Sequence, residues 1–222
     1  PRRPASSMTR GAARRRRGPY GSGMTAPPLR FETLRGDTLR AWLPRLAGLR
    51  TAVFRDWPYL YDGTPGYEEN YLAAYAESPG AAVIAAIDGD RAVGCATCQP
   101  MAEATARVQA AFTGRGLDPA RFCYFGESVL LSEYRGRGAG VRFFEMREAH
   151  ARSLGLQAAA FCAVTRNDND PRRPCDYVPL DAFWGRRGYT RRADISVIFD
   201  WKEVDDDRET PHALGFWVKE PL

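Results

Sequence analysis

Apolar and polar positions divide the chain into short strand-like runs and longer amphipathic ones. Residues 29–34 alternate with period two, as a half-buried strand does. Asp37 then stands where a side chain caps a helix over 38–54, and Pro58 ends the helical pattern. Residues 57–71, WPYLYDGTPGYEENY, are dense in rings and acids, with Gly63, Pro65 and Gly66 marking a loop and a second helix expected over 67–76. Two strands, 81–87 and 91–97, meet at Asp88-Gly89-Asp90, a hairpin turn. An Ala-rich helix over 101–112 precedes an apolar strand over 122–131. A helix over 138–154 ends at Gly155, and a buried strand covers 158–164. A short helix over 182–188 and strands over 195–201 and 213–219 close the pattern, and no repeat of fixed period is visible.

Residues 122–164 thus form a strand–turn–helix–strand unit. Such a unit needs a right-handed crossover and a parallel strand pair, while the hairpins on either side pair antiparallel. The expected fold is a mixed sheet covered by helices.

The turn of that unit carries the chemistry. Arg135-Gly136-Arg137-Gly138-Ala139-Gly140 lies between the strand and the helix. Glycines let the backbone bring its N–H groups close to a ligand. The first N–H groups of the helix lack internal partners and its dipole adds positive charge there, so a pyrophosphate fits. Arg135 and Arg137 add positive charge beside it. A P-loop would end in Gly-Lys-Ser/Thr, whereas here Gly140-Val141-Arg142 stands. A dinucleotide-binding site would open the domain and place an acid at the end of the next strand, which here ends Val164-Thr165-Arg166. Neither pattern matches.

The segment resembles the coenzyme A loop of the GNAT acetyltransferase superfamily, Arg/Gln-x-x-Gly-x-Gly/Ala. Ser132-Glu133-Tyr134 precedes it much as Pro-Glu-Tyr does in many members. Ala182-Phe183-Trp184-Gly185-Arg186-Arg187-Gly188-Tyr189 is similar to the family's second motif, an aromatic helix closing in Gly-Phe or Gly-Tyr. The likeness covers roughly residues 29–220. It implies an α/β (α+β) fold: a mixed, mostly antiparallel central sheet with a splayed parallel strand pair, flanked by helices. It also implies transfer of an acetyl group from acetyl-CoA, as co-substrate and without a metal, directly to a primary amine of a small molecule or peptide.

By the same resemblance, Val129, Leu130 and Leu131 lend backbone groups to the pantetheine arm. Arg135, Gly136, Arg137, Gly138, Ala139, Gly140 and Val141 hold the pyrophosphate, and Phe183 and Trp184 pack near the arm. Glu127 is the candidate general base, because an ammonium near neutral pH must lose a proton before attack and alternation puts Glu127, Val129 and Leu131 on one face. The alternative is a carboxylate satisfied by backbone or arginine partners. Trp184 stands where many members have the tyrosine that protonates the departing thiolate, which leaves Tyr177 as the candidate acid. The long loop 165–181 leaves the family's asparagine open between Asn167 and Asn169. Trp57, Tyr59, Tyr61 and Asp62, with Glu127, would line the acceptor side, a composition suited to a small cationic amine or to a plain loop anchored by rings.

Charge changes the picture at one end only. Eight arginines and no acid fall within residues 1–31, so of the formal +5 the remainder of the chain carries about −3. That composition predicts a disordered tail over 1–28 and a transferase domain over 29–222. No rings interleave the arginines, so nucleic acid is not the expected partner. No run of about 18 apolar residues occurs, so no membrane partner is expected. Five cysteines read as reduced thiols of a cytoplasmic protein, and Cys95 and Cys98 lack the further ligands a zinc site needs. His150 and His212 form no triad, and Ser128 lacks the glycines of a nucleophile elbow. Homodimerisation stays open. So does a non-catalytic module of the same fold that binds an acyl-CoA and reports it.

Overall fold

The computed structural model describes residues 28–222. The expected tail lies outside that range except for Pro28. Eight strands form one sheet: β1 (Arg30–Leu34), β2 (Ala82–Asp88), β3 (Arg91–Pro100), β4 (Phe122–Tyr124), β5 (Ser128–Leu130), β6 (Ala158–Val164), β7 (Thr190–Lys202) and β8 (Glu209–Lys219). They lie in the order β1-β2-β3-β4-β6-β8-β7, with β5 also on β3. All pairs are antiparallel except β4–β6, so the fold is the expected mixed one.

The helices are α1 (Gly36–Phe54), α2 (Pro65–Glu77), α3 (Ala106–Thr113), α4 (Ala139–Ser153) and α5 (Asp181–Gly185). In β2 and β3 residues of both faces are buried, because α1 and α2 cover one side and Phe143 of α4 packs on the other. Two expected elements differ. Helix α1 starts earlier, with Arg35 in the cap position and Asp37 in the first turn, where its charge faces the positive helix end instead of capping it. The helix expected over 101–112 is a short turn, Met101–Glu103, followed by α3. The Gln109 carboxamide donates to Ala102 O and Ala104 O across the break.

The third difference shapes the site. Residues 122–131 do not form one strand. Between Gln99↔Tyr124 and Ala96↔Ser128 only Thr97 and Cys98 of β3 oppose Phe125, Gly126 and Glu127, which is a bulge of one residue. Thr97 N–H donates to Glu127 O (3.0 Å), Gly126 N–H to Thr97 O (3.3 Å), and Glu127 N–H to Thr97 Oγ1 (3.1 Å). A Cβ on Gly126 would collide with Tyr75 Oη and lie only 2.6 Å from Thr97 Oγ1, so any side chain here would have to displace both. After the bulge β5 stays with β3. Strand β4 pairs with β6 only as far as Tyr124↔Ala160, with one further bond from Phe125 N–H to Ala160 O (2.8 Å). Beyond it β5 and β6 part, and the sheet opens in a V.

Candidate active site

One arm of the V is β5. Its residues alternate between β3 and the gap. Leu131 N–H donates to Val93 O (2.9 Å), Glu127 O accepts from Thr97, and Val129 sits opposite Cys95. These three therefore face β3. Leu130 and Ser128 turn their main-chain groups to the gap, and Leu130 O accepts from Arg135 Nε at 3.3 Å. Of Val129, Leu130 and Leu131, only Leu130 offers the cleft its backbone; Ser128 joins it, and the pleat would have shown this once the register was known.

The V leads to the glycine loop. Gly136 and Gly138 have φ of +74° and +85°, the left-handed region that favours glycine. Gly138 caps α4 without a side chain, and the helix closes first from Arg142 N–H to Gly138 O (3.1 Å). The N–H groups of Ala139, Gly140 and Val141 precede that closure and have no partner within the helix. Arg135 and Arg137 are exposed beside them. Phe183 of α5 covers the loop: a Cβ on Gly140 would meet its Cζ at 3.3 Å. Trp184 turns away into a ring cluster, edge-on to Phe161 and Trp217 at 5.1 Å each.

Glu127 points to the α1–α2 side, where its side chain is only 6% exposed. Arg50 of α1 pairs with it through Nη1 and with Glu68 of α2 through Nε at 2.6 Å. Tyr71 donates its hydroxyl to Glu127 Oε2 (3.0 Å), and Tyr75 lies 3.2 Å beyond. Burial opposes the Arg50 charge, yet Glu127, Tyr71 and Glu68 hold it above the ordinary arginine value. Burial, then the Glu127 charge, raise the Tyr71 and Tyr75 hydroxyls. From α4, the buried Arg147 has no carboxylate partner among the described residues. Its Nη1 donates instead to Glu127 O (3.3 Å) and Thr97 O (3.4 Å), which pins the bulge. An arginine partner for Glu127 is thus present, on the side chain.

The acceptor-side residues fall into two groups. Tyr59 is half-buried, its hydroxyl raised by burial and then by Cys162 and Glu127, and Tyr124 Oη lies 3.4 Å from the same Cys162 Sγ. Trp57 meets Tyr177 edge-on at 6.0 Å under Arg166, which donates to Pro58 O (2.5 Å) and Tyr59 O (2.8 Å). These residues gather on one side of the V. Asp62 instead bridges Lys202 and Arg55, each at 2.8 Å, and these hold its carboxyl below the usual range. Tyr61 lies against the buried Glu68. Asn167 is exposed, and its Oδ1 accepts from Asn169 N–H (2.9 Å) in a local turn. Sequence pattern did not single out Arg50, Tyr75, Tyr124, Cys162 or Arg147. The one available signal was an arginine on the apolar stripe of α1.

Among the described residues no cluster of three or more His, Cys, Asp and Glu side chains is arranged for a metal, and no helix is long and apolar enough to cross a membrane. Residues 46–175 match the family described as acetyltransferase (GNAT). No curated protein sequence matches the chain. Solved structures match in fold. A ribosomal-protein-alanine N-acetyltransferase from Brucella melitensis shares 15% identity at a TM-score of 0.55, over 82% of this chain and 95% of that one. An acetyltransferase from Thermus thermophilus shares 15% at 0.54, over 90% and 100%. The yncA protein of Salmonella typhimurium, solved with its cofactor acetyl-CoA, shares 13% at 0.56, over 87% and 94%.

Proposed function

This chain belongs to the acetyltransferase (GNAT) family, and on that premise we propose that it transfers an acetyl group from acetyl-CoA to a primary amine of a small molecule or peptide. The observation that carries the reading is the V between β5 and β6, which runs from a buried carboxylate at its fork to an open helix N-terminus at its mouth. The fit to acetyl-CoA rests on this chain's own donors. The Ala139, Gly140 and Val141 N–H groups, with Arg135 and Arg137, would hold the pyrophosphate. Leu130 and Ser128 would pair with the amides of the arm, and Phe183 would lie along it. Bound there, acetyl-CoA supplies an activated thioester.

The protein's part is to orient the acceptor, exclude water and take up a proton. Trp57, Tyr59 and Tyr177 would orient the amine with their ring faces. Glu127, with 6% of its side chain exposed, would receive the amine's proton through water. Tyr177, Tyr59 and Tyr124 lie on that side with hydroxyls that burial keeps protonated, so a proton donor need not come from the position of Trp184. The acceptor named for the Brucella melitensis enzyme, a ribosomal-protein alanine, is in keeping with a peptide amine. The buried free thiols Cys95, Cys98, Cys123 and Cys162 are in keeping with the cytoplasm.

Thiol release from acetyl-CoA across a panel of primary amines, small and peptidic, tests this function. One observation keeps a second reading alive: Trp184 packs its indole into a ring cluster and offers no acid. A chain that binds acetyl-CoA tightly and releases no thiol with any amine would be the non-catalytic module.

A further inference from the structure

The proposed chemistry needs one carboxylate, and the structure buries two on a single cation. Glu68 is fully buried and takes the Arg50 Nε–H, while Glu127 is ion-paired with Nη1. Arg50 is 7% exposed at its side chain and lies over the Tyr71 ring at 4.2 Å. The three charges sum to −1. For stability alone this is a poor arrangement even with Arg147 buried nearby, because buried ions cost more than apolar side chains of the same volume. It makes sense for proton transfer. Arg50 paired with Glu127 alone would hold that carboxylate firmly ionised and make it a weak proton acceptor.

We propose that Glu68 is a positioning residue: by sharing Arg50 and placing a like charge beside it, Glu68 loosens the cation's hold on Glu127 and keeps Glu127 able to accept the amine's proton. This rests on the reading of Glu127 as that acceptor. Glu68 does not take the role itself. None of its side chain meets solvent, the Tyr61 ring lies against it, and a Cβ on Gly63 would come within 3.0 Å of its Oε1. The groups facing Glu127 are Arg50 from α1, Tyr71 and Tyr75 from α2, and Cys95 from β3, with Glu68 of α2 held on another nitrogen of the same Arg50. Tyr124 faces it from β4, Arg147 from α4, and Tyr59 from the segment between α1 and α2. Arg50 and Arg147 are the cations of this set, and Arg147 reaches only the main chain of Glu127. Glu68 is its one other acid.

The test is a carboxyl 13C NMR titration of the full chain labelled with 13C-glutamate, the Glu127 signal being assigned by its loss in Glu127→Gln. Glu68→Gln removes the like charge and frees Arg50 for Glu127, so the Glu127 midpoint should fall by about one pH unit or more. Glu68→Asp withdraws the carboxylate by one methylene and should give a smaller shift of the same sign, which serves if the first variant fails to fold. With acetyl-CoA and the best amine of the panel, the low-pH limb of turnover should move down with the midpoint. The plateau should drop about threefold, as for a weaker base. A midpoint that stays in place in a folded variant, or rises, overturns the proposal and leaves Glu68 a packing group. A midpoint that falls while no amine is acetylated upholds the coupling and removes the proposed function instead.

Discussion

Phe183 lies directly over Gly140, where an added Cβ would meet the ring's Cζ at 3.3 Å. The contact joins the two segments that resemble the family's motifs, 43 positions apart in the chain, and makes the ring a wall of the proposed cofactor site. Gly140→Ala should push the ring outward by a few tenths of an ångström. Overpacking of this kind costs roughly 1–3 kcal/mol where nothing yields, but Phe183 is half-buried and free to shift. The expected outcome is a melting point lowered by a few degrees at most and a coenzyme A affinity lowered several-fold. Adding Phe183→Leu should recover part of that affinity. Calorimetry finding the same affinity in wild type and Gly140→Ala would remove Phe183 from the site.

Gly138 carries a heavier expectation. Its φ of +85° disfavours any side chain by roughly 1–2 kcal/mol, and it precedes the three free N–H groups of α4. Gly138→Asp adds a carboxylate where a pyrophosphate would sit. Coenzyme A binding should vanish from calorimetry while the circular dichroism spectrum stays that of a folded chain. Retained affinity in the folded variant would end the assignment of this loop.

Trp184 is expected to matter for packing and not for proton transfer. Its indole stands edge-on to Phe161 and Trp217, and such ring pairs contribute about 0.5–1.5 kcal/mol beyond the area they bury. Trp184→Phe should lower the unfolding free energy read from urea titration by an amount in that range and leave the pH dependence of turnover unchanged. A lost alkaline limb would show that the indole acts on the leaving group's environment after all.

The glycine loop was legible in the sequence because everything it needs is local: an apolar strand, a glycine-rich turn, and a helix whose first N–H groups follow from the turn. The bulge was not. An apolar run such as residues 122–131 carries no mark of where its partners change, and Gly126 reads as an ordinary small residue until Tyr75 Oη and Thr97 Oγ1 are seen against it. Since the bulge decides which main-chain groups face the gap, the sequence did not show that Ser128 turns towards it while Val129 and Leu131 turn towards β3. Glu127 was found from its place before the loop, whereas its surroundings on α1 and α2 come from 52 to 77 positions earlier. Acids in the segment 57–71 looked alike in the sequence. Asp62 proved to be a surface bridge and Glu68 the buried partner of Arg50, a difference set by tertiary packing alone.

Glu127→Gln tests the centre of the proposal. The amide keeps the shape and still accepts the Tyr71 hydroxyl, but it takes no proton. It also leaves Arg50 and Glu68 as a balanced buried pair, so the melting point should move by only a few degrees. Coenzyme A affinity should hardly change, because the proposed pyrophosphate cradle lies at the other end of the V. Turnover at neutral pH should fall by about 100- to 10,000-fold, the usual contribution of a general base. The pH dependence has a definite sign. An acceptor amine with a lysine-like pKa of about 10.4 arrives increasingly deprotonated as pH rises, so the deficit should shrink by up to tenfold per unit towards that value. A deficit that stays constant with pH would mean that Glu127 positions the acceptor without taking its proton. Near-normal turnover at pH 7 would make the carboxylate a structural partner of Arg50.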